Sequence, residues 1–226
     1  KKFSWVQYKS RLISPIRINN GVSFLQRFLP EFEKAEKEFG VPKEIIAAII
    51  GIESSYGSIT GRERVIDSLS TLAFDYPRRS KFFTKQLEHF LLLTREEKLD
   101  PLVMKGSYAG AMGYGQFIPS SYRSYAIDFD DDGIRNIVTN PIDAIGSVAN
   151  YLSKHGWERN ATIAEALTKN DVNSNFKTSL SLKEPDALEL ASKINLPNKK
   201  YLQINFEDKE FWLGHKNLYV LSRYNR

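Results

Sequence analysis

The feature that most limits how this chain can fold is an apolar run that ends at a carboxylate. Residues 45–52 are IIAAIIGI, with Pro42 shortly before them and Glu53 directly after them. Apolar side chains on every face predict a buried helix, and a proline ahead of the run fits a first helical turn. A glutamate at the end of such a helix loses solvation, so it needs either structural partners or a chemical purpose.

Other segments also predict helices. Apolar residues recur at steps of three and four over residues 22–39, which predicts an amphipathic helix after a turn at the NNG of residues 19–21. Asn140 as N-cap and Pro141 as first helical residue predict the start of another helix, and Gly156 predicts its end.

The character of the chain changes after about residue 160. Apolar and polar residues alternate over residues 202–206, which predicts a half-buried strand. Residues 207–210 form a plausible turn into a second strand at residues 211–213. The sequence therefore predicts a mainly α protein (α+β) with a small β-containing appendage.

Composition narrows the possible functions. The net charge of +5 favours an anionic partner or serves solubility, and no dense Lys/Arg tract indicates nucleic-acid binding. The chain has no cysteine, which excludes disulfides and cysteine-based metal sites. Residues 1–10 form neither a signal peptide nor a transmembrane segment, and the run at residues 45–52 is too short to cross a bilayer.

Glu53 has two interpretations. It is either a hydrogen-bonded structural residue or a proton donor. A carboxyl in an apolar pocket has a raised pKa, because burial disfavours the anion, and it can then stay protonated near neutral pH. Cleavage of a glycosidic bond needs such a donor for the leaving oxygen.

The segment at residues 106–115 contains four glycines and is followed by Gln116. It is either a tight structural loop or the wall of a cleft that offers Gln116 and backbone groups to a polar ligand. It lacks the GxxxxGK[ST] pattern of a nucleotide phosphate loop.

The acidic loop DFDDDGIRN resembles the start of an EF-hand calcium loop. Asp128, Asp130 and Asp132 stand at positions 1, 3 and 5, Gly133 at position 6 and Ile134 at position 7, where a backbone carbonyl is the usual ligand. These positions predict a calcium site, and a solvated acidic turn is the alternative.

The loop departs from the EF-hand pattern at its end. Position 12 is Thr139 where a glutamate is expected, and the next acid is Asp143. A helix starting at Asn140 would bring Asp143 back toward the loop, so we expect Asp143 to close a longer site.

A paired arginine motif, Arg78 and Arg79 within YPRR, also has two interpretations. The arginines are either surface charges or binders of carboxylates on an anionic substrate, for which the planar guanidinium is well suited.

Several long motifs together resemble one family. They are, in chain order, GIESSYG, DSLSTLAFDYPRR, FLLLTREE, DPLVMKGSYAGAMGYGQFIPSSY, DFDDDG, DAIGSVANYLSKHGW and LSRYNR. They are similar to the motifs of the bacterial membrane-bound lytic transglycosylase B family over about residues 45–226. The acidic loop is one residue longer than we expect for that family.

The resemblance implies a lysozyme-like helical core with an α domain and a small antiparallel β domain. We expect an N-terminal α region at residues 1–43, the catalytic core at 44–160 and the β-containing domain at 161–226. It also implies cleavage of peptidoglycan between N-acetylmuramic acid and N-acetylglucosamine without water. Glu53 would be the single acid and then base, with no catalytic cofactor and only a structural Ca²⁺.

The resemblance further implies a monomeric periplasmic enzyme acting on glycan strands with peptide stems, and no nucleic acid. Anchoring to the outer membrane as a lipoprotein and association with cell-wall synthesis or division proteins stay open. A lysozyme-type hydrolase and a non-catalytic cell-wall-binding protein are the alternative functions. Arg78 and Arg79 match positions suited to the peptide stem, and the positions expected to contact sugar are Ser107, Tyr114, Gln116, Tyr151 and Tyr224.

Overall fold

The computed structural model describes residues 4–167, 202–205 and 211–224. The chain forms two compact units, one of Ser14–Tyr151 and one of Lys1–Ile13 with Leu152–Arg226. The division into three segments made from the sequence stays a prediction.

Helices make up most of the described residues, as the mainly α prediction requires. In chain order they are α1 (Trp5–Leu12), α2 (Pro15–Arg27), α3 (Leu29–Phe39), α4 (Lys43–Ser54), α5 (Val65–Phe74), α6 (Ser80–Glu96), α7 (Pro119–Tyr125), α8 (Pro141–Lys154) and α9 (Lys216–Tyr224). A short 3₁₀ helix, Pro77–Arg79, joins α5 to α6.

Two antiparallel sheets accompany the helices. In the larger unit β1 (Glu63–Arg64) pairs with β2 (Lys105–Gly106). In the smaller unit β5 (Phe211–Gly214) lies between β3 (Ala164–Leu167) and β4 (Leu202–Asn205), and Leu202 and Ala164 both face Gly214. The predicted pair of strands is thus confirmed, while Phe206 and the turn at 207–210 lie outside the described residues.

The core of the larger unit is built from the inner faces of α3 to α8. Residues in it with no more than 1% of their surface exposed include Phe32, Ile46, Ile50, Leu69, Phe90, Leu93, Met112, Tyr122, Ile137 and Ile145. The prediction that α4 is buried on all sides is wrong in part, because Ile52 is 45% exposed and Ala48 also faces solvent. One side of the helix before Glu53 is therefore open.

The predicted turn at residues 19–21 is also wrong. These residues lie inside α2, which starts at Pro15 after Ser14 has capped it by accepting a hydrogen bond from the Arg17 N–H at 3.2 Å. The helix predicted over residues 22–39 is two helices, since the chain leaves helical geometry at Phe28. The start of α2 is set by local capping, which outweighs the turn preference of NNG.

The start and end predicted for α8 are confirmed. Asn140 Oδ1 accepts a hydrogen bond from the Ile142 N–H at 2.9 Å, Pro141 is the first helical residue, and Gly156 follows the end with a φ of 91°. Across the residues the structure describes, no helix has the length and apolar character needed to cross a membrane.

Candidate active site

Glu53 lies in the last turn of α4 and is half-buried. The C-terminal end of a helix carries partial negative charge, so it is not a favourable place for an acidic side chain. Three left-handed residues follow, Ser55 (φ 49°), Tyr56 (φ 59°) and Gly57 (φ 85°). Non-glycine residues rarely adopt this conformation, and such backbone is concentrated at functional sites.

Ser54 holds this turn together from inside. Its buried hydroxyl donates to the Ile50 carbonyl at 3.1 Å and accepts from the Gly57 N–H at 2.9 Å. The Ser54 carbonyl also accepts from the Ile59 N–H at 2.8 Å. Ser54 therefore bonds both to the helix before Glu53 and to the residues after it, which fixes the backbone next to Glu53. We name residues 54–60 the α4 turn.

The glycine-rich segment lies against the α4 turn through Tyr114. A Cβ added at Gly57 would lie 2.1 Å from the Tyr114 ring, so only glycine lets the ring approach this closely. The Tyr114 ring also stacks on that of Phe24, with ring centroids 6.2 Å apart. The predicted site residue Tyr114 thus contacts the turn that directly follows Glu53.

Gln116 joins the same two segments by hydrogen bonds. Its Nε2 donates to the carbonyls of Thr60 at 3.0 Å and Gly113 at 2.9 Å. Both amide hydrogens are used, so its Oε1 is the atom able to accept from a ligand.

Ser107 stabilises the glycine-rich loop itself. Its Oγ accepts from the N–H groups of Ala109 at 3.3 Å and Ala111 at 3.1 Å, which leaves its O–H to donate. Gly106 precedes it in β2, where a Cβ would lie 2.4 Å from the Ala111 carbonyl oxygen. The loop is therefore structural and at the same time offers a hydroxyl donor.

The two remaining predicted tyrosines lie in different units. Tyr151 is 9% exposed in α8, with its ring centroid 4.9 Å from that of Tyr125 and 5.7 Å from that of Phe117. Tyr224 is the last residue of α9 in the smaller unit and is half-buried.

Arg78 and Arg79 are exposed on the short 3₁₀ helix. The Arg79 guanidinium lies 4.5 Å from the centroid of the Phe82 ring, a cation–π distance. Arg78 makes no ion pair with any residue in the described part of the chain. Both the surface and the binding interpretations remain compatible with this placement.

The acidic loop brings part of the predicted metal set together. Carboxylate oxygens of Asp128, Asp130 and Asp143 all lie within 4.8 Å of one another. Asp132 is not in this cluster, and its Oδ1 accepts from the Ile134 N–H at 2.8 Å. Three converging carboxylates fit a hard cation such as Ca²⁺, while the roles of Asp132 and Ile134 stay predictions.

Asp143 is fully buried in the first turn of α8. Burial raises the pKa of its carboxyl, hydrogen bonds from the Phe129 and Asn136 N–H groups lower it, and the nearby Asp130 and Asp128 raise it again. Those bonds measure 2.8 and 2.6 Å. A cation in the cluster would relieve the repulsion between these carboxylates.

Comparison with known proteins decides the family. The profile of the Transglycosylase SLT domain matches residues 1–226. The chain belongs to this family. It is 42% identical to membrane-bound lytic murein transglycosylase B of Escherichia coli over 228 residues, which cover 98% of this chain but only 63% of that protein.

Solved structures of the same family agree with the fold. The Escherichia coli lytic transglycosylase Slt35 in complex with calcium has a TM-score of 0.84 and 40% identity, over 98% of this chain and 72% of that one. Pseudomonas aeruginosa SltB3 in complex with NAG-NAM-pentapeptide has a TM-score of 0.84 and 29% identity, over 99% of this chain and 63% of that one. The resemblance and the lysozyme-like fold class are confirmed.

Sequence reasoning in this transglycosylase family member missed Ser54, Tyr56 and Phe24. Ser54 and Tyr56 stand beside Glu53 in the chain, so a serine directly after the glutamate was a usable signal. Phe24 lies in α2 and contacts Tyr114 only in the folded state, so no local pattern could have found it.

Proposed function

We propose that this chain is a peptidoglycan lytic transglycosylase in which Glu53 acts first as acid and then as base. The observation that carries the proposal is the place of Glu53, half-buried at the end of α4 and directly before the α4 turn, which contacts both Tyr114 and Gln116. This arrangement supports a proton donor that acts near groups suited to bind a polar sugar chain.

The reaction needs one carboxyl group. Glu53 protonates the glycosidic oxygen as the bond from that oxygen to C1 of the muramyl sugar breaks. The C6 hydroxyl of the same sugar then attacks C1, and its proton passes to the Glu53 carboxylate. The product carries a 1,6-anhydro ring, no water is consumed, and the acid is regenerated.

We infer that the substrate is a glycan strand with peptide stems, in a periplasmic location. Support comes from the family and from SltB3, which was solved with NAG-NAM-pentapeptide. The Ser107 hydroxyl and Gln116 Oε1 would hydrogen-bond sugar groups, and the rings of Tyr114 and Tyr151 would contact the sugars. Contact of Tyr224 with sugar stays a prediction from the resemblance. Monomeric state, lipid anchoring and protein partners stay predictions from the resemblance.

Arg78 and Arg79 are proposed to bind the carboxylates of the peptide stem. Their exposure leaves both guanidinium groups accessible to a ligand, and the guanidinium fork matches a carboxylate.

The acidic loop is proposed to hold a structural Ca²⁺ through Asp128, Asp130 and Asp143. The converging carboxylates support this, and so does the calcium complex of Slt35. Catalysis as proposed uses no cofactor.

Product analysis tests the proposal. Purified peptidoglycan is digested and the soluble fragments are identified by mass spectrometry. We expect 1,6-anhydromuramyl ends. Reducing muramic acid ends would instead establish a lysozyme-type hydrolase, and binding without any release of fragments would establish a non-catalytic cell-wall-binding protein.

A further inference from the structure

We propose that Tyr56 is a positioning residue that sets where Glu53 stands relative to α2. The inference rests on the proposed role of Glu53 and deepens it. In this role Tyr56 does not contact the substrate. It acts on Glu53 through the backbone of the α4 turn.

The Tyr56 ring lies between two helices at a point where both carry glycine. A Cβ added at Gly21 in α2 would lie 2.4 Å from the Tyr56 hydroxyl oxygen, and one at Gly51 in α4 would lie 2.5 Å from the same oxygen. Real Cβ atoms do not approach this closely, so the two glycines form the space that the phenol tip fills. The ring thereby sets the separation of α2 and α4 near Glu53.

The hydroxyl adds a hydrogen bond at the tip of the packed ring. It donates to the Arg17 carbonyl in the first turn of α2 at 3.1 Å. The ring centroid lies 5.5 Å from that of Phe24, one turn after Gly21 on the same helix. Burial raises the pKa of Tyr56 while Arg17 lowers it, so the net shift keeps the hydroxyl a donor at neutral pH.

The backbone of the α4 turn needs this attachment. Tyr56 is left-handed between two other left-handed residues, Ser55 and Gly57, a conformation that L-residues avoid. A strained turn persists only where its surroundings over-determine it. If the ring were displaced, Ser55 and Tyr56 would relax and the last turn of α4, which carries Glu53, would move with them.

Displacement of a catalytic group by about 1 Å can lower turnover by about a hundredfold. A positioning role therefore predicts a loss in kcat with little change in KM, whereas a merely stabilising role predicts a lower melting temperature alone. The two readouts separate the interpretations.

The experiment disturbs the Tyr56 ring with two substitutions that leave the sequence of α4 unchanged. Gly21→Ala places a methyl group against the Tyr56 hydroxyl, and Tyr56→Leu removes the ring. Gly146→Ala is the matched control, because its Cβ would lie 2.3 Å from another aromatic ring, that of Phe129. Turnover of a soluble glycan-peptide oligomer is measured at a temperature where all variants are folded by circular dichroism.

We expect Gly21→Ala and Tyr56→Leu each to lower kcat by about tenfold or more, with KM changed by less than about threefold. Gly146→Ala should lower the melting temperature and leave kcat unchanged. Tyr56→Phe, which keeps the ring and loses only its hydroxyl, should restore kcat to within about threefold of the parent.

The inference is overturned if Tyr56→Leu, or a folded Gly21→Ala, retains the kcat of Gly146→Ala. It is also overturned if Tyr56→Phe is as impaired as Tyr56→Leu, since the ring would then not be the positioning element. Glu53→Gln in the same assay separates the two claims. If Glu53→Gln is inactive and the Tyr56 variants are active, only the positioning claim fails, whereas an active Glu53→Gln removes the proposed function itself.

Discussion

The α4 turn and the acidic loop each contain a left-handed glycine, but the two glycines have opposite surroundings. Gly57 has a φ of 85° and faces the Tyr114 ring, which a Cβ would meet at 2.1 Å. Gly133 has a φ of 89°, and a Cβ there would meet nothing within 4 Å. The first glycine is enclosed by packing, and the second lies on an open stretch of backbone.

The backbone around Gly133 is held by carboxylates instead. Asp128 accepts from the N–H groups of Asp132 at 3.1 Å and Gly133 at 2.7 Å, and Asp143 accepts two more backbone bonds. The α4 turn directly follows Glu53, so the proposed role of this carboxyl depends on a turn of fixed position, which packing provides. The carboxylates that converge beside Gly133 would be completed by the proposed cation, so the backbone at this glycine can stay fixed without a side chain packed against it.

The largest effect on activity is expected from Glu53→Gln, directly before the packed α4 turn. Removing a general acid lowers turnover by about 10²–10⁴-fold, because the leaving oxygen is no longer protonated. Release of soluble fragments from peptidoglycan measures this. Glu44→Gln, an exposed acid in the first turn of the same helix, is the control. Equal activity of the two variants would contradict the role of Glu53.

The second prediction compares the two glycines directly. Gly133→Ala introduces only left-handed strain, about 1–2 kcal/mol. Gly57→Ala has the same strain and also displaces Tyr114, and this overpacking should lower the free energy of unfolding by about 1–3 kcal/mol more. Urea unfolding in the presence of a chelator gives both free energies of unfolding. If the two variants lose the same stability, the contrast between a packed and an open turn is wrong.

The third prediction concerns the ion. Calcium should raise the free energy of unfolding by about 2.7 kcal/mol at roughly a hundred times its dissociation constant, and a chelator should reverse the rise. Asp128→Asn should abolish the effect. Asp131→Asn should retain it, because Asp131 is exposed and outside the carboxylate cluster. A calcium-independent melting temperature in the parent protein would remove the site.

The smallest expected effect is the pH dependence of that stabilisation. Burial raises the pKa of Asp143, so the folded ion-free protein holds this proton more tightly than the unfolded chain. The stability of the ion-free protein therefore falls as the pH rises above the ordinary value for an aspartate. Calcium binds the carboxylate, so its stabilisation should grow from about pH 4 to about pH 7. Calcium titrations followed by melting temperature measure the stabilisation at both pH values, and an equal stabilisation at the two would contradict this prediction.

Local signals in the sequence determined several features of this protein. The N-cap Asn140, Pro141 and the left-handed Gly156 set the limits of α8, because capping depends on residues that are neighbours in the chain. Alternation of apolar and polar residues located the strand Leu202–Asn205, and the turn expected after it located the strand Phe211–Gly214. The end of an apolar helix also singled out Glu53 before any fold was known.

Only the tertiary structure decided the features that depend on distant residues. Gly21 was predicted in a turn and lies in a helix, where its missing side chain makes room for Tyr56 from another segment. The Gln116 amide donates to the carbonyl of Thr60, a residue far away in the chain. Ile52 is exposed although it belongs to an apolar run, because no other segment in the described part of the chain covers that side of α4. Close packing between remote segments has no periodic signature in a sequence, so the surroundings of Glu53 became visible only once the chain was folded.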